Sequence, residues 1–234
     1  VVIVDINVVS PKSLEAVLQH YRLTRRTASG ALLGSMNLAV EATGIAYTSS
    51  ILGNNLSVAV GIAMNRSIAK RAGVVFVVTG DGAMEEGAFW ESLIFSRSHR
   101  LPLVVVVENN DYSMSSTIVQ RRSEVDLDKV CAGLDVRYFA ASGAIVPDVK
   151  AELSAAREAA ASGSPACVEL SLTTFCQHAG PTPGWPDDPL RLSIEDGLLV
   201  DDSPSDPVYH IRNTLGALEF DRLTAEIMRA DDGE

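Results

Sequence analysis

Two short, unbroken apolar runs, Val74 to Val78 and Leu103 to Val107, constrain this chain more than any other feature. A continuous run of that length, rich in β-branched residues, is expected to form a strand of a parallel sheet, covered on both faces. Gly80-Asp81-Gly82 ends the first run, and a helical pattern follows it. Phe89, Leu93 and Ile94 suit one apolar face of that helix, and Arg97, His99 and Arg100 collect near its end, where cations suit the helix dipole. Pro102 stops it, and the second run delivers Glu108-Asn109-Asn110. The segment 74–116 is therefore predicted to be one strand-helix-strand unit. Such crossovers place both strands in the same sheet, with their carboxyl ends on the same edge.

That edge is where open α/β sheets bind ligands, and Asp81 and Asn110 are expected to meet there. A carboxylate and an amide oxygen are hard ligands that suit Mg²⁺ or Ca²⁺ better than a thiolate-loving metal. Mg²⁺ takes few protein ligands and leaves the rest of its octahedron to phosphate oxygens and water. Gly82 and Ala83 open the following helix, and a helix N-terminus with a close-approach glycine is an anion site. A diphosphate is the natural complement of this pair of features.

The rest of the chain continues the alternation. Helices are predicted from Ser10-Pro11 through Tyr21, over 56–70, 126–134 and 149–161, and strands over 1–9, 136–140 and 166–172. Ser205-Asp206-Pro207 is expected to cap one last helix with an apolar stripe of Val208, Ile211, Leu215, Leu218, Leu223 and Ile227. The pattern is that of an α/β domain: a three-layer, open, mostly parallel sheet with helices on both faces, residues 1–234 forming a single domain. The formal charge of −11 argues against a nucleic-acid or anionic-membrane partner, which selects basic patches. No run approaches a membrane span, and Val1 to Val4, cut off by Asp5, is too short for a signal-peptide core. Cys131, Cys167 and Cys176 carry no C-x-x-C spacing; they are expected to be free thiols in a reducing, cytoplasmic setting. Arg22, Arg25 and Arg26 suit a phosphate contact or a solvated face, and Ser115 to Thr117 with Arg121 and Arg122 a phosphorylated substrate, a carrier domain or a surface loop.

GDG, twenty-six residues and then NN, with a buried strand before each, resembles the thiamine-diphosphate-binding motif. GDGAMEEGAFWES and LPLVVVVENNDYSMSST resemble the α subunit of 2-oxo acid dehydrogenase E1 components of the pyruvate and acetoin type, while Trp90 leans toward transketolase. The resemblance implies the thiamine-diphosphate-binding fold, its diphosphate-binding module, and Mg²⁺ with thiamine diphosphate as cofactors. It implies that Asp81 and Asn110 hold the metal through side chains, Tyr112 through its carbonyl, and that Gly80, Asp81, Gly82 and Ala83 form the diphosphate turn. Ser49-Ser50-Ile51-Leu52-Gly53 resembles the segment meeting the aminopyrimidine ring, which gives the Ser50 carbonyl a hydrogen bond to the ring and Leu52 a place beneath it. His178 lies where the family carries a histidine in a loop over the active-site mouth, a catalytic position. His20, His99 and His210 fall in helical patterns and are read as structural.

Three departures stand out. Asn37, in GSMN, replaces a histidine common in GSMH; Ser113 replaces a glycine; and the family's upstream arginine contact to the diphosphate has no match. The resemblance further implies a β-type E1 partner, or a transketolase C-terminal-half subunit, carrying the activating glutamate, since Glu85, Glu86 and Glu91 follow the diphosphate motif on the wrong side. The activity it implies is decarboxylation of a 2-oxo acid with acyl transfer to a lipoyl or other carrier domain. Two alternatives stay open: a split transketolase-like subunit moving a two-carbon ketol unit from a ketose phosphate, and a non-catalytic scaffold subunit.

Overall fold

A computed structural model describes residues 2–4, 45–49, 51–174, 193–195, 198–200 and 203–231. Six strands form one sheet: β1 (Val2–Val4), β2 (Ile45–Thr48), β3 (Val75–Gly80), β4 (Leu103–Asn109), β7 (Arg137–Ser142) and β8 (Ala166–Ser171). Their order is β2-β1-β3-β4-β8-β7, and every pairing is parallel. Two small antiparallel pairs lie outside it, β5 (Tyr112–Ser113) with β6 (Ser116–Thr117) and β9 (Ser193–Glu195) with β10 (Leu198–Val200).

Helices cover both faces, as expected. On one face α1 (Asn54–Ile68), α2 (Gly87–Ser98) and α4 (Leu127–Gly133) bury Leu56, Ala59, Phe89, Leu93, Leu127 and Cys131 against Val75, Val77, Val105 and Val107. On the other, α5 (Val146–Ala161) sets Ala156 and Ala160 against Val104, Val106, Val168 and Leu170. The connections containing α1, α2 and α4 all step across the sheet in one direction. The step from β7 back to β8 reverses direction, and its helix lies on the opposite face, as constant crossover handedness requires. Chain direction also reverses between β1, which leads outward to β2, and β3, which leads to β4. Strand ends beside such a switch point border a crevice.

Local chemistry explains most element starts. Asp126 accepts the Lys129 amide at 3.1 Å and caps α4. Thr117 and Gln120 form a capping box on the short α3 (Ile118–Arg121), with the Thr117 amide donating to Gln120 Oε1 at 2.9 Å. Asp206 caps α6 (Pro207–Leu215), accepting the Val208 amide at 2.7 Å, and Pro207 occupies the first helical position.

Several expectations are corrected. Pairing carries β3 through Thr79 and Gly80 and β4 through Glu108 and Asn109, because ladder hydrogen bonds need no apolar side chain. In β3 only Val75, Val77 and Thr79 are buried, while Phe76 and Val78 are half-buried. The buried stripe of α2 is Phe89, Ser92, Leu93 and Ser96, and Ile94 is 50% exposed. Ile94 is five residues beyond Phe89, roughly 140° around the helix. The single terminal helix is two, α6 and α7 (Ala217–Asp231), parted at Gly216 with φ 78°, and Ile211, Leu215, Leu218 and Ile227 are exposed. The expected helix at 10–21 lies outside the described residues.

Phe89 is fully buried, so Phe89→Ala is expected to destabilise the chain by about 3–5 kcal/mol. Ile94→Ser, on the exposed side of the same helix, should stay within about 0.5 kcal/mol of wild type. Urea unfolding of both variants checks the assignment of faces, and equal losses would contradict it.

Candidate active site

The parallel register sets Gly80 beside Glu108 and Asn109 beside Ser171, so the chain leaves β3, β4 and β8 at one edge. Beyond β3, residues Asp81–Glu85 form a tight 3₁₀ turn rather than the first turn of an α-helix; α2 starts only at Gly87. The turn is wrapped inward, with Asp81, Gly82, Ala83 and Met84 all buried. A Cβ added to Gly82 would lie 2.4 Å from Ser113 Oγ and 2.7 Å from Ser113 Cβ, so glycine is required there by close approach. Ser113, the departure from the family's glycine, is thus the residue that packs on the turn.

Asp81 is only 1% exposed. Its Oδ2 accepts from Arg121 Nη2 at 2.6 Å, while Oδ1 has no hydrogen-bond partner among the described residues. Burial pushes the carboxyl above the usual carboxylate range; Arg121, with the backbone amides of Asp81 and Asn110, pulls the other way. The register that sets Gly80 beside Glu108 brings the ends of β3 and β4 together. The Asn110 side chain donates to Thr174 Oγ1 at 3.1 Å and accepts the Tyr112 amide at 3.0 Å, a local turn leading into β5.

Arg121 ties the site together. Besides Asp81 it donates from Nε to Glu85 Oε1 at 2.8 Å and from Nη1 to the Ser116 carbonyl. Arg122 Nε lies 3.4 Å from the same Glu85 oxygen. Two carboxylates and two guanidiniums therefore form one neutral cluster. Next to it, a pocket of about 170 Å³ is lined by Met84, Asn109, Arg122, Glu124 and Glu169, among others. Glu169 is held from both sides, by Tyr138 Oη at 2.6 Å and Asn109 Nδ2 at 2.7 Å.

The turn before α1 completes the edge. Gly53 has φ 73°, and a Cβ there would lie 3.1 Å from Glu86 Cβ, so this turn packs against the end of the Asp81 turn. Leu52 is 43% exposed on it, and Asn55 Nδ2 donates to the Val78 carbonyl at 2.8 Å, tying α1 to β3. The structure thus brings Leu52, Gly80, Asp81, Gly82, Ala83, Asn110 and Tyr112 to one region. Ser50, His178 and Asn37 lie outside the described residues. His99 stacks on Phe95 with centroids 4.3 Å apart, and His210 Nε2 lies 2.7 Å from the Pro204 carbonyl, so both are structural as expected.

Sequence reasoning missed the roles of Arg121 and Glu169. A buried carboxylate at Asp81 demands a countercharge, and a lone glutamate inside the apolar run ACVELS demands partners; both were signals.

Residues 7–173 match the family model of the dehydrogenase E1 component. The chain belongs to the dehydrogenase E1 component family. Within that family it is similar to the pyruvate dehydrogenase E1 component subunit alpha of Rhizobium meliloti (strain 1021), 25% identical over 78% of this chain and 51% of that one. It is similar also to the mitochondrial pyruvate dehydrogenase E1 component subunit alpha of Pisum sativum, 27% identical over 86% of this chain and 48% of that one. This E1-family chain spans about half the length of these relatives. Among solved structures, a transketolase from Leishmania mexicana shares 21% identity over 53% of this chain and 20% of that one, with a TM-score of 0.45.

Gly82→Ala is expected to cost about 1–3 kcal/mol through overpacking against Ser113. Adding Ser113→Gly should recover most of that loss in thermal unfolding. No recovery in the double variant would mean that the contact is not the source of the strain.

Proposed function

We propose that this chain is the α-type half of a thiamine-diphosphate- and Mg²⁺-dependent enzyme that cleaves a 2-oxo acid and passes the acyl unit to a lipoyl group. The observation that carries this reading is the Asp81 carboxylate: buried at a strand end, one oxygen unpartnered among the described residues, on a turn that admits no side chain at Gly82. An orphaned carboxylate oxygen in such a place fits a hard cation. The Asn110 side-chain oxygen accepts one hydrogen bond and keeps a second lone pair, which fits the same ion.

In this reading Asp81 and Asn110 hold Mg²⁺ through side chains, and Tyr112 adds its carbonyl. Gly80 keeps the strand end close, and the amides of Gly82 and Ala83 hold the diphosphate. Leu52 and the Ser50 carbonyl orient the aminopyrimidine ring, and His178 acts on the substrate. When bound, thiamine diphosphate supplies the electron sink for breaking a bond next to a ketone carbonyl. The acid that activates it belongs to a β-type partner chain, in an α₂β₂ assembly. A reducing, cytoplasmic setting belongs to the same proposal, and the free buried thiols of Cys131 and Cys167 support it.

A split transketolase-like subunit is the second reading, and Asn37 favours it, because an amide there hydrogen-bonds without proton transfer near neutral pH. Trp90 keeps it open as well, and its ring packs edge-on against Phe89 with centroids 4.9 Å apart.

Calorimetric titration with thiamine diphosphate and Mg²⁺, with and without the β-type chain, tests the proposal. Saturable, metal-dependent binding is expected, abolished in Asp81→Ala. With partner present, a 2-oxo acid should release CO₂; a ketose phosphate yielding a shortened aldose phosphate instead would favour the second reading. No binding even with the partner would leave a scaffold subunit and overturn both.

A further inference from the structure

Arg121 occupies an unusual place. Its side chain is only 12% exposed, and it reaches acceptors on separate segments: Asp81 Oδ2 at 2.6 Å and Glu85 Oε1 at 2.8 Å on the turn, and the Ser116 carbonyl on β6. The two contacts to the turn join it to the hairpin that follows Asn110. A carboxylate as buried as Asp81 needs a positive charge beside it, and Arg121 provides it without any metal.

We infer that Arg121 is a latch on Asp81: a resident cation that makes the site bind a divalent metal weakly alone and strongly only together with a diphosphate. This rests on the metal role proposed for Asp81. The Asp81, Glu85, Arg121 and Arg122 cluster is already neutral, so a divalent ion approaching the free Oδ1 meets a carboxylate whose charge is compensated. It meets also the repulsion of a guanidinium on the same carboxylate, in a poorly solvated place where charges are weakly screened. A diphosphate reverses both effects. Its oxygens offer the metal new ligands, and its negative charge accommodates metal and guanidinium together. Metal and diphosphate are thus coupled, each raising the affinity for the other. The hairpin contact adds a structural consequence: the turn is held in its folded shape before either ligand arrives.

The test is equilibrium dialysis of the full chain at fixed free Mn²⁺, reading protein-retained metal with and without inorganic pyrophosphate. Wild type should retain Mn²⁺ weakly alone and at least about tenfold more tightly with pyrophosphate, a coupling of about 1.4 kcal/mol. Arg121→Met should bind Mn²⁺ alone at least about tenfold more tightly than wild type and lose most of the coupling, whereas Arg121→Lys, which keeps the charge, should stay near wild type. A purely structural arginine would give the opposite result on removal, a weaker metal site. Should Arg121→Met fail to fold, Arg121→Gln, which keeps a donor for Glu85 and Ser116, carries the same expectation. Unchanged or weaker Mn²⁺ binding in the folded variant overturns the latch, and so does a wild type that binds Mn²⁺ equally well without pyrophosphate. Asp81→Ala separates the two ideas. If it abolishes Mn²⁺ binding while Arg121→Met changes nothing, the metal site stands and the latch falls; if Mn²⁺ binding survives Asp81→Ala, the metal role falls and the latch with it.

Discussion

A carboxylate at the end of a buried strand, with one oxygen paired to a guanidinium and the other to nothing described, is the constraint around which this site is arranged. Removing a charge from water costs several kcal/mol unless partners replace the solvent. Asp81 is accessible over only 1% of its surface because the turn that carries it folds inward between the ends of β3 and β4. Everything nearby answers that cost. Arg121 supplies charge, and Glu85 and the Ser116 carbonyl orient Arg121. The arrangement leaves one acceptor over, and an acceptor left over in a buried place is where a hard cation gains most.

The sheet makes this possible. Parallel pairing sends both β3 and β4 out at one edge, so a residue just past each strand meets the other without any long-range side-chain recognition. Gly82 then lets the hairpin after Asn110 settle directly on the turn, with Ser113 in the space a side chain at 82 would need. Gly53 does the same on the other flank, where it lies against Glu86. Close approach at two glycines packs the hairpin after Asn110 and the turn before α1 against the two ends of the Asp81 turn.

Much of this was legible in the sequence, and the failures have physical reasons. The two apolar runs around GDG and NN identify a strand-helix-strand unit because continuous burial leaves few alternatives. Strand ends were misplaced because Thr79, Gly80, Glu108 and Asn109 continue the ladder with backbone groups alone. The face of α2 was misjudged through Ile94, since hydrophobicity outweighed period; small buried Ser92 and Ser96 complete the true stripe. Arg121 looked like part of a surface patch because its partners lie at Asp81 and Glu85, some forty positions away for the first, and no local spacing announces such a pair. Glu169 was overlooked although a charge inside a buried strand needs partners, which Tyr138 and Asn109 supply. Ser50 and His178, read from resemblance, lie outside the described residues, so that part of the site still rests on resemblance.

The distribution of acids around the turn gives the physical reason for proposing a partner. The proposed reading calls for a carboxylic acid beside the cofactor's pyrimidine ring, and three glutamates follow Asp81 closely in the chain. Glu85 is held by Arg121 and Arg122 in the ion cluster. Glu86 begins α2 with its side chain against Gly53, and Glu91 is exposed on α2. Freeing Glu85 would leave Arg121 and Arg122 with less countercharge and loosen the hairpin on the diphosphate turn. The interaction that steadies the Asp81 turn therefore keeps Glu85 occupied, and the proposed reading assigns the activating acid to a β-type partner.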